Sequence, residues 1–304
     1  MTKKIIVSIL AFTLAFSCLK AQTYKQQFNE LFSKKDTAAQ RQLLEKWQKA
    51  DANDPELFVA YYNYYVVKGK KEMLTIGQNP KGENVFQILD QDTSKKEPVA
   101  YMYGDVCYEP DLLSKGFDWI NKGIEKFPNR LDMRFGKTYI FGQIGDYESF
   151  TKEIIKAIDY SVINSNQWVW SENKTVDDPK KKMLQTIQSY QIQLYNTGND
   201  SLLNNMKRIA EAVLKYYPDH VESLSNLSIV FMLQKNYDDA LIALIKAEKL
   251  NSKDFIVLSN IAQAYKLKGD SAKAIEYYEL VRIHGDEEAK QYATEQIKEL
   301  KKNR

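Results

Sequence analysis

The chain has 304 residues, of which 44% are hydrophobic and 27% charged, a composition that excludes a disordered tail and leaves room for two domains or one continuous solenoid. A formal charge of +3 gives no strongly basic face for nucleic acid. Two histidines at or near predicted helix ends, without a cysteine cluster, exclude a transition-metal site of ordinary type.

The N-terminus reads as an export signal over 1–21. Lys3 and Lys4 precede the apolar run Ile5–Phe16, and small residues follow up to Ala21. That run is shorter than the roughly 20 apolar residues a membrane span needs. Cleavage after Ala21 leaves Gln22 first and a soluble periplasmic or secreted protein. Lipidation of Cys18, behind Ser17, is the alternative and would anchor it to the envelope. Removing 1–21 takes away Lys3, Lys4 and Lys20 and no acid, so the formal charge falls from +3 to 0. Only Cys107 then remains; among the aromatics of Tyr101–Tyr108 it reads as a buried, inert thiol.

Residues 22–164 read as degenerate helical hairpins. Tyr24–Ala50 carries Leu43, Leu44 and Trp47 on one face, and Pro55–Gly69 forms a first helix with Tyr61 and Tyr65 packed and Tyr62 turned outward. Near 70–95 the turn signal Asn79–Pro80–Lys81–Gly82 lies between Met73–Ile76 and Val85–Leu89, which is compatible with an irregular insertion, a small β-hairpin or, almost equally, a short helix. Gly116, Gly123 and Pro128 mark the second half of a hairpin over Glu97–Arg130, and Leu131–Asn164 forms another. Residues 165–186, with Trp168, Trp170 and a polar run, form an insertion. From 187 to 288 the hairpin pattern resumes, and Ala289–Lys302 within 289–304 forms a charged helix that covers the last apolar face.

The clearest pattern is the superposition of Val221–Asp254 on Phe255–Glu288 at a period of 34 residues. Leu224 falls on Leu258, Asn226 on Asn260, Ser228 on Ala262, Ala240 on Ala274 and Ala247 on Val281. Small residues at the eighth, twentieth and twenty-seventh places of a 34-residue unit resemble the tetratricopeptide repeat. The chain as a whole is similar to exported bacterial, Bacteroidetes-like members of that group. The resemblance implies an all-α, right-handed superhelical solenoid of helix hairpins. Asp219, Asp254 and Asp270 stand at helix-start places, where a carboxylate accepts free backbone N–H groups.

Such solenoids bind partners on a concave wall lined by the first helix of each repeat. The resemblance places Glu222, Ser225, Ile229, Met232 and Leu233 there, followed by Ile256, Ser259, Gln263, Lys266 and Leu267. A groove mixing apolar and neutral polar groups suits a protein or peptide segment. Asn226 and Asn260 read as structural, because an amide alone cannot neutralise a partner's carboxylate. There is no nucleophile elbow, phosphate-binding glycine loop or dinucleotide fingerprint, so the chain is expected to be a non-catalytic scaffold without metal or cofactor. The carboxylate pairs Asp90 and Asp92, Asp105 and Glu109, and Asp177 and Asp178 are taken as solvated turns. A competing expectation is glycan binding on an aromatic platform of Trp168 and Trp170, which alternate along the chain.

Overall fold

The computed structural model describes residues 24–78, 80, 84–92 and 97–302. The expected export signal and Cys18 lie outside these residues, as does most of the Asn79–Gly82 turn. The described residues form two compact units. Unit 1 runs to Ile144 and includes Val169–Lys174; unit 2 comprises Gly145–Trp168 and the chain from Thr175 onward. No helix among the described residues is long and apolar enough to cross a membrane.

Unit 1 begins with α1 (24–33), α2 (Thr37–Ala50) and α3 (Pro55–Gly69). One carboxylate fixes the joint between the last two. Asp54 accepts the Trp47 indole N–H at 3.0 Å and the Glu56 backbone N–H at 2.9 Å, and Pro55 supplies a preset first helical residue. Leu43, Leu44 and Trp47 then pack on Leu57, Tyr61 and Tyr64. Tyr62, expected to face outward, is instead 4% exposed, and its hydroxyl donates to the Gly136 carbonyl at 2.9 Å. It belongs to a second core with Val66, Leu113, Ile120, Met133 and Ile140, so α3 buries two faces rather than one.

The segment read as a hairpin over Glu97–Arg130 departs most from expectation. Its first half is strand β3 (Ala100–Tyr108), and only its second half is helical, as α4 (Pro110–Lys126). β1 (Lys70–Gly77) and β2 (Val85–Ile88) do not pair with each other; each pairs antiparallel with β3, giving the order β1-β3-β2. Aromatic and β-branched residues in Tyr101–Tyr108 favour this extended state. The partner of α4 is therefore α3, and the whole sheet is an insertion between two helices of one hairpin. The Glu109 N–H donates to the Gly69 carbonyl at 2.8 Å and closes its neck. Cys107, expected to be buried, is exposed on β3. Gly116 and Gly123 do mark close approach to α3: a Cβ at Gly123 would stand 2.9 Å from the Phe58 Cβ. Unit 1 continues through α5 (Leu131–Gln143).

Unit 2 contains α6 (Tyr147–Ile163), α7 (Pro179–Asn196), α8 (Leu203–Tyr216), α9 (Val221–Leu233), α10 (Tyr237–Leu250), α11 (Phe255–Lys268), α12 (Ser271–His284) and α13 (Glu287–Lys302). The starts of α9 and α11 lie 34 residues apart, and so do those of α10 and α12. Each helix from α8 to α13 packs on the next, so the predicted hairpin stack is present. Ala240, Leu244 and Ala247 of α10 and Ala274, Tyr278 and Val281 of α12 are fully buried at equivalent places. Ala240, Ala247 and Ala274 let successive helices approach closely, and the larger Leu244, Tyr278 and Val281 fill the space between them. α13 lays Ala293, Ile297 and Leu300 on the last hairpin's core of Leu258, Tyr278 and Val281. The segment expected as an insertion over 165–186 is only partly irregular, because α7 already begins at Pro179 behind the capping Asp178.

Two helix starts follow the expected chemistry and one does not. Asp254 accepts the Ile256 and Val257 N–H groups, and Asp270 accepts that of Lys273. At α9 the cap is His220, whose Nδ1 accepts the Ser223 N–H at 3.3 Å, while the expected Asp219 faces Lys246 at 3.6 Å.

Candidate binding surfaces

The groove residues fall on α9 and α11, but the fold uses them unequally. Ser225 is 8% exposed, Ile229 is half-buried, and Met232 is half-buried against the α9–α10 core. Ser259 is half-buried on α11. The Gln263 side-chain carbonyl accepts the Tyr278 hydroxyl at 3.0 Å. Lys266 reaches Gln296 at 2.6 Å and Glu299 at 3.0 Å, which ties α11 to α13. Glu222 is exposed and stands 3.2 Å from the His220 Nε2. Asn226 exchanges amide hydrogen bonds with Gln188 of α7, at 2.6 and 3.4 Å, and so joins two first helices. Asn260 is half-buried.

What these helices leave open is mainly apolar. Leu233 and Leu267, equivalent by the 34-residue repeat, are exposed, and so are Ile256 and, on α7, Ile192 and Tyr195. At one end of this row the chain forms a cleft of about 310 Å³, lined by Tyr195, Leu203, Met206 and Leu233 with Asn196, Asn199 and Asp200 at hand. The α7–α8 turn shapes it, with Gly198 at φ 63° and Asn199 accepting the Ser201 N–H. Tyr195 and the turn were not legible as a site, because their place falls outside the phase of the repeat.

The aromatic platform does not form. Trp168 is 1% exposed, with its ring 5.8 Å from that of Tyr160, so it offers no face to a sugar. Trp170 is half-buried, and its backbone N–H donates to the Lys174 carbonyl at 2.8 Å.

Unit 1 holds a charge network that the sequence did not reveal. Arg130, fully buried, places Nη1 2.7 Å from Glu56 and two nitrogens 2.8 Å from Asp132. Lys25 lies 3.0 Å from Glu56 and 2.9 Å from Glu172, whose backbone N–H donates to Glu56 at 2.7 Å. Burial raises the Glu56 carboxyl, but the Glu172 N–H, Arg130 and Lys25 outweigh it and hold the group below its ordinary range. Burial likewise opposes the Arg130 charge, and Asp132 and Glu56 more than restore it. Glu172 sits at φ 62°, a left-handed conformation the network holds in place. Ser171 and Glu172 stand more than 100 residues from Glu56 in sequence, and their bonds to it clamp 171–174 onto unit 1.

The sheet of unit 1 also presents an apolar face. The register places Ile76, Met102 and Phe86 in one row across the three strands, with Leu74 and Val106 on the same side. Leu74, Ile76 and Phe86 are 71%, 65% and 63% exposed, high for side chains of this type. Among the described residues no group of three histidines, cysteines or acids could hold a metal ion.

No family model matches the chain, and no curated protein matches it. Solved structures do. The type III secretion chaperone SycD of Yersinia enterocolitica, in complex with a peptide of the translocator YopD, is 15% identical, covering 40% of this chain and 95% of its own, with a TM-score of 0.36. MamA is 14% identical, covering 58% and 91%, with a TM-score of 0.37. A thermophilic tetratricopeptide-repeat protein of Thermus thermophilus is 12% identical, covering 60% and 90%, with a TM-score of 0.38. At such identities the likeness is one of helical architecture. The hairpin assignment rests on the 34-residue spacing of the chain's own helices.

Proposed function

We propose that this tetratricopeptide-repeat protein is a non-catalytic scaffold that binds a protein segment along α7, α9 and α11. The observation that carries this reading is the open apolar row ending in the Tyr195–Leu233 cleft. Side chains there remain exposed, whereas the polar Gln263 and Lys266 of α11 are engaged within the fold. Exposed apolar groups on rigid helices gain most by burying a partner's aliphatic or aromatic side chain. A partner segment would seat one such anchor in the cleft, with Glu222 and Ser259 as polar neighbours along the wall. The basic, apolar N-terminal sequence supports export, which would place the encounter in the periplasm or outside the cell. No glycan role is retained, because Trp168 is buried.

Photo-crosslinkers placed at Tyr195 and Leu233 in cells test this reading. It is supported if one protein is trapped from both positions and lost on Leu233→Glu. Equal trapping from exposed positions of unit 1 would overturn it. The mass of the mature N-terminus separates cleavage before Gln22 from lipidation at Cys18.

A further inference from the structure

A second cleft lies on the other helices of the same hairpins. Leu241, Ile242 and Ile245 of α10 and Tyr265 of α11 line a cavity of about 590 Å³ beside the start of α12. Lys246, Lys249, Lys268 and Lys273 stand around it, against Asp238 and Asp270. Both acids are already committed: Asp238 pairs with Lys268, and Asp270 accepts the Lys273 backbone N–H at 3.1 Å. Lys246 donates to the Pro218 carbonyl at 2.6 Å, and the Lys273 ammonium lies 4.9 Å from the centre of the Tyr265 ring. Among the described residues Lys249 is exposed and makes no ion pair. Four ammonium groups against the carboxylates of Asp238, Asp270 and Asp219, the last paired with Lys246, leave the rim positive at Lys249, while Ile242 is 70% exposed in its midst.

We propose that this cleft is a binding site for an acidic peptide segment bearing a large aliphatic side chain. The aliphatic group enters against Ile242, Ile245 and Tyr265, and a flanking carboxylate meets Lys249, with the charge of Lys246 beside it. An open apolar cleft of this volume receives a single aliphatic side chain, whereas a flat bilayer would meet the lysine tips first. The site is independent of the α7–α9 groove. Lys266, the cation expected along that groove, is held by Gln296 and Glu299. Exposed rim charges act mainly on association rate and salt dependence, and the buried apolar contact on dissociation.

The test measures fluorescence anisotropy of a labelled synthetic Glu/Leu peptide with the full chain, alongside its Glu→Lys and Leu→Ser counterparts and phosphatidylglycerol vesicles. The expected result is salt-sensitive binding of the Glu/Leu peptide alone. K246E/K249E should weaken it about tenfold, mostly by slowing association, and Ile242→Ser should weaken it several-fold by speeding dissociation. Leu233→Glu, in the other groove, should leave it unchanged. The proposal is overturned if the Leu→Ser peptide binds equally, if vesicles bind and the peptide does not, or if charge reversal has no effect. Loss of binding on Leu233→Glu would overturn it too, while leaving the groove reading standing. Should K246E/K249E lose its helical circular-dichroism signal, Lys249→Gln with Ile242→Ser decides the matter by the same criteria.

Discussion

In unit 2, α9 and α10 are joined by three residues, Gln234 to Asn236, while in unit 1 forty residues, Lys70 to Glu109, separate α3 from α4. Both pairs nonetheless pack as antiparallel neighbours. In unit 2 alanines such as Ala240 and Ala247 allow the approach; in unit 1 Gly116 and Gly123 do so against the aromatic rings of Tyr62 and Phe58. Pairing is thus dictated by complementary faces, small against large, rather than by the length of the joint. The price of a long joint grows only slowly, by about 0.6 kcal/mol for each doubling. What differs is how each unit is locked: unit 2 by repetition of one apolar interface, unit 1 by unique contacts such as the Glu56–Arg130 pair.

The harshest way to break that contrast is to remove the lock of unit 1. Arg130→Met leaves Glu56 with Lys25 alone and Asp132 without the cation it shared, and the expected loss is about 3–5 kcal/mol in denaturant unfolding. Pairing it with Glu56→Gln should recover part of the loss. The wild-type contribution has a defined pH sense. The Glu56 carboxyl is held low in the fold, so its contribution is complete above the ordinary carboxylate range and fades as pH falls through the lowered value. A titration of stability that stayed flat below about pH 4, the ordinary carboxylate range, in wild type and Arg130→Met alike would refute this role.

The glycine interface comes next. Gly123→Val would drive its Cβ to within 2.9 Å of the Phe58 Cβ and 3.0 Å of the Met133 sulfur, and about 1–3 kcal/mol of destabilisation is expected. Gly116→Ala meets Tyr62 and Tyr65 only at 3.5 Å, ordinary contact, so better helix propensity should make it neutral or stabilising. Thermal melts of the two variants should therefore move in opposite directions or by clearly different amounts.

A smaller effect is expected where unit 2 departs from its own repeat, at the start of α9. Burial holds His220 below its ordinary value, Glu222 opposes this and Lys180 adds to it. The neutral ring serves as cap, because Nδ1 must stay unprotonated to accept the Ser223 N–H. Its contribution is therefore present above the ordinary histidine range and lost as pH falls through the lowered folded value. His220→Ala should cost about 1 kcal/mol near neutral pH. His220→Asn keeps a cap and should flatten the acid limb between about pH 7 and 5.

These residues also show how far the sequence could be read. The α9–α12 hairpins were visible because Ala240, Ala247, Ala274 and Val281 recur at contacts made between neighbours in the chain. Lys25, Glu56, Arg130 and Glu172 carry no period, and their proximity exists only after folding. β3 was misread because Gly116, Gly123 and Pro128 correctly marked a second helix, and the phase then assigned its first helix to the wrong segment. The helix that matches α4 was the one already found at Pro55–Gly69. In the expected groove, the repeat placed its residues on α9 and α11, but which side chains stay open depends on partners such as Gln296 and Tyr278 that no spacing names.

The mildest intervention is the one that most sharpens the comparison: replacing residues 71–107 by a short Gly/Ser linker. The Gly69–Glu109 hydrogen bond already brings the two ends together, so a short bridge spans the neck. Shortening the joint from about forty residues to about five is three halvings, worth about 2 kcal/mol in closure entropy. Against that stands the loss of Tyr103, the sole strand residue that is buried among those described, at about 1.5–3 kcal/mol. The two terms nearly cancel, and unit 1 should keep its unfolding free energy within about 1 kcal/mol of wild type. A large loss would mean that the sheet, not the α3–α4 interface, holds the hairpin together. Retained stability would leave Leu74, Ile76 and Phe86 on an element that the fold carries without needing.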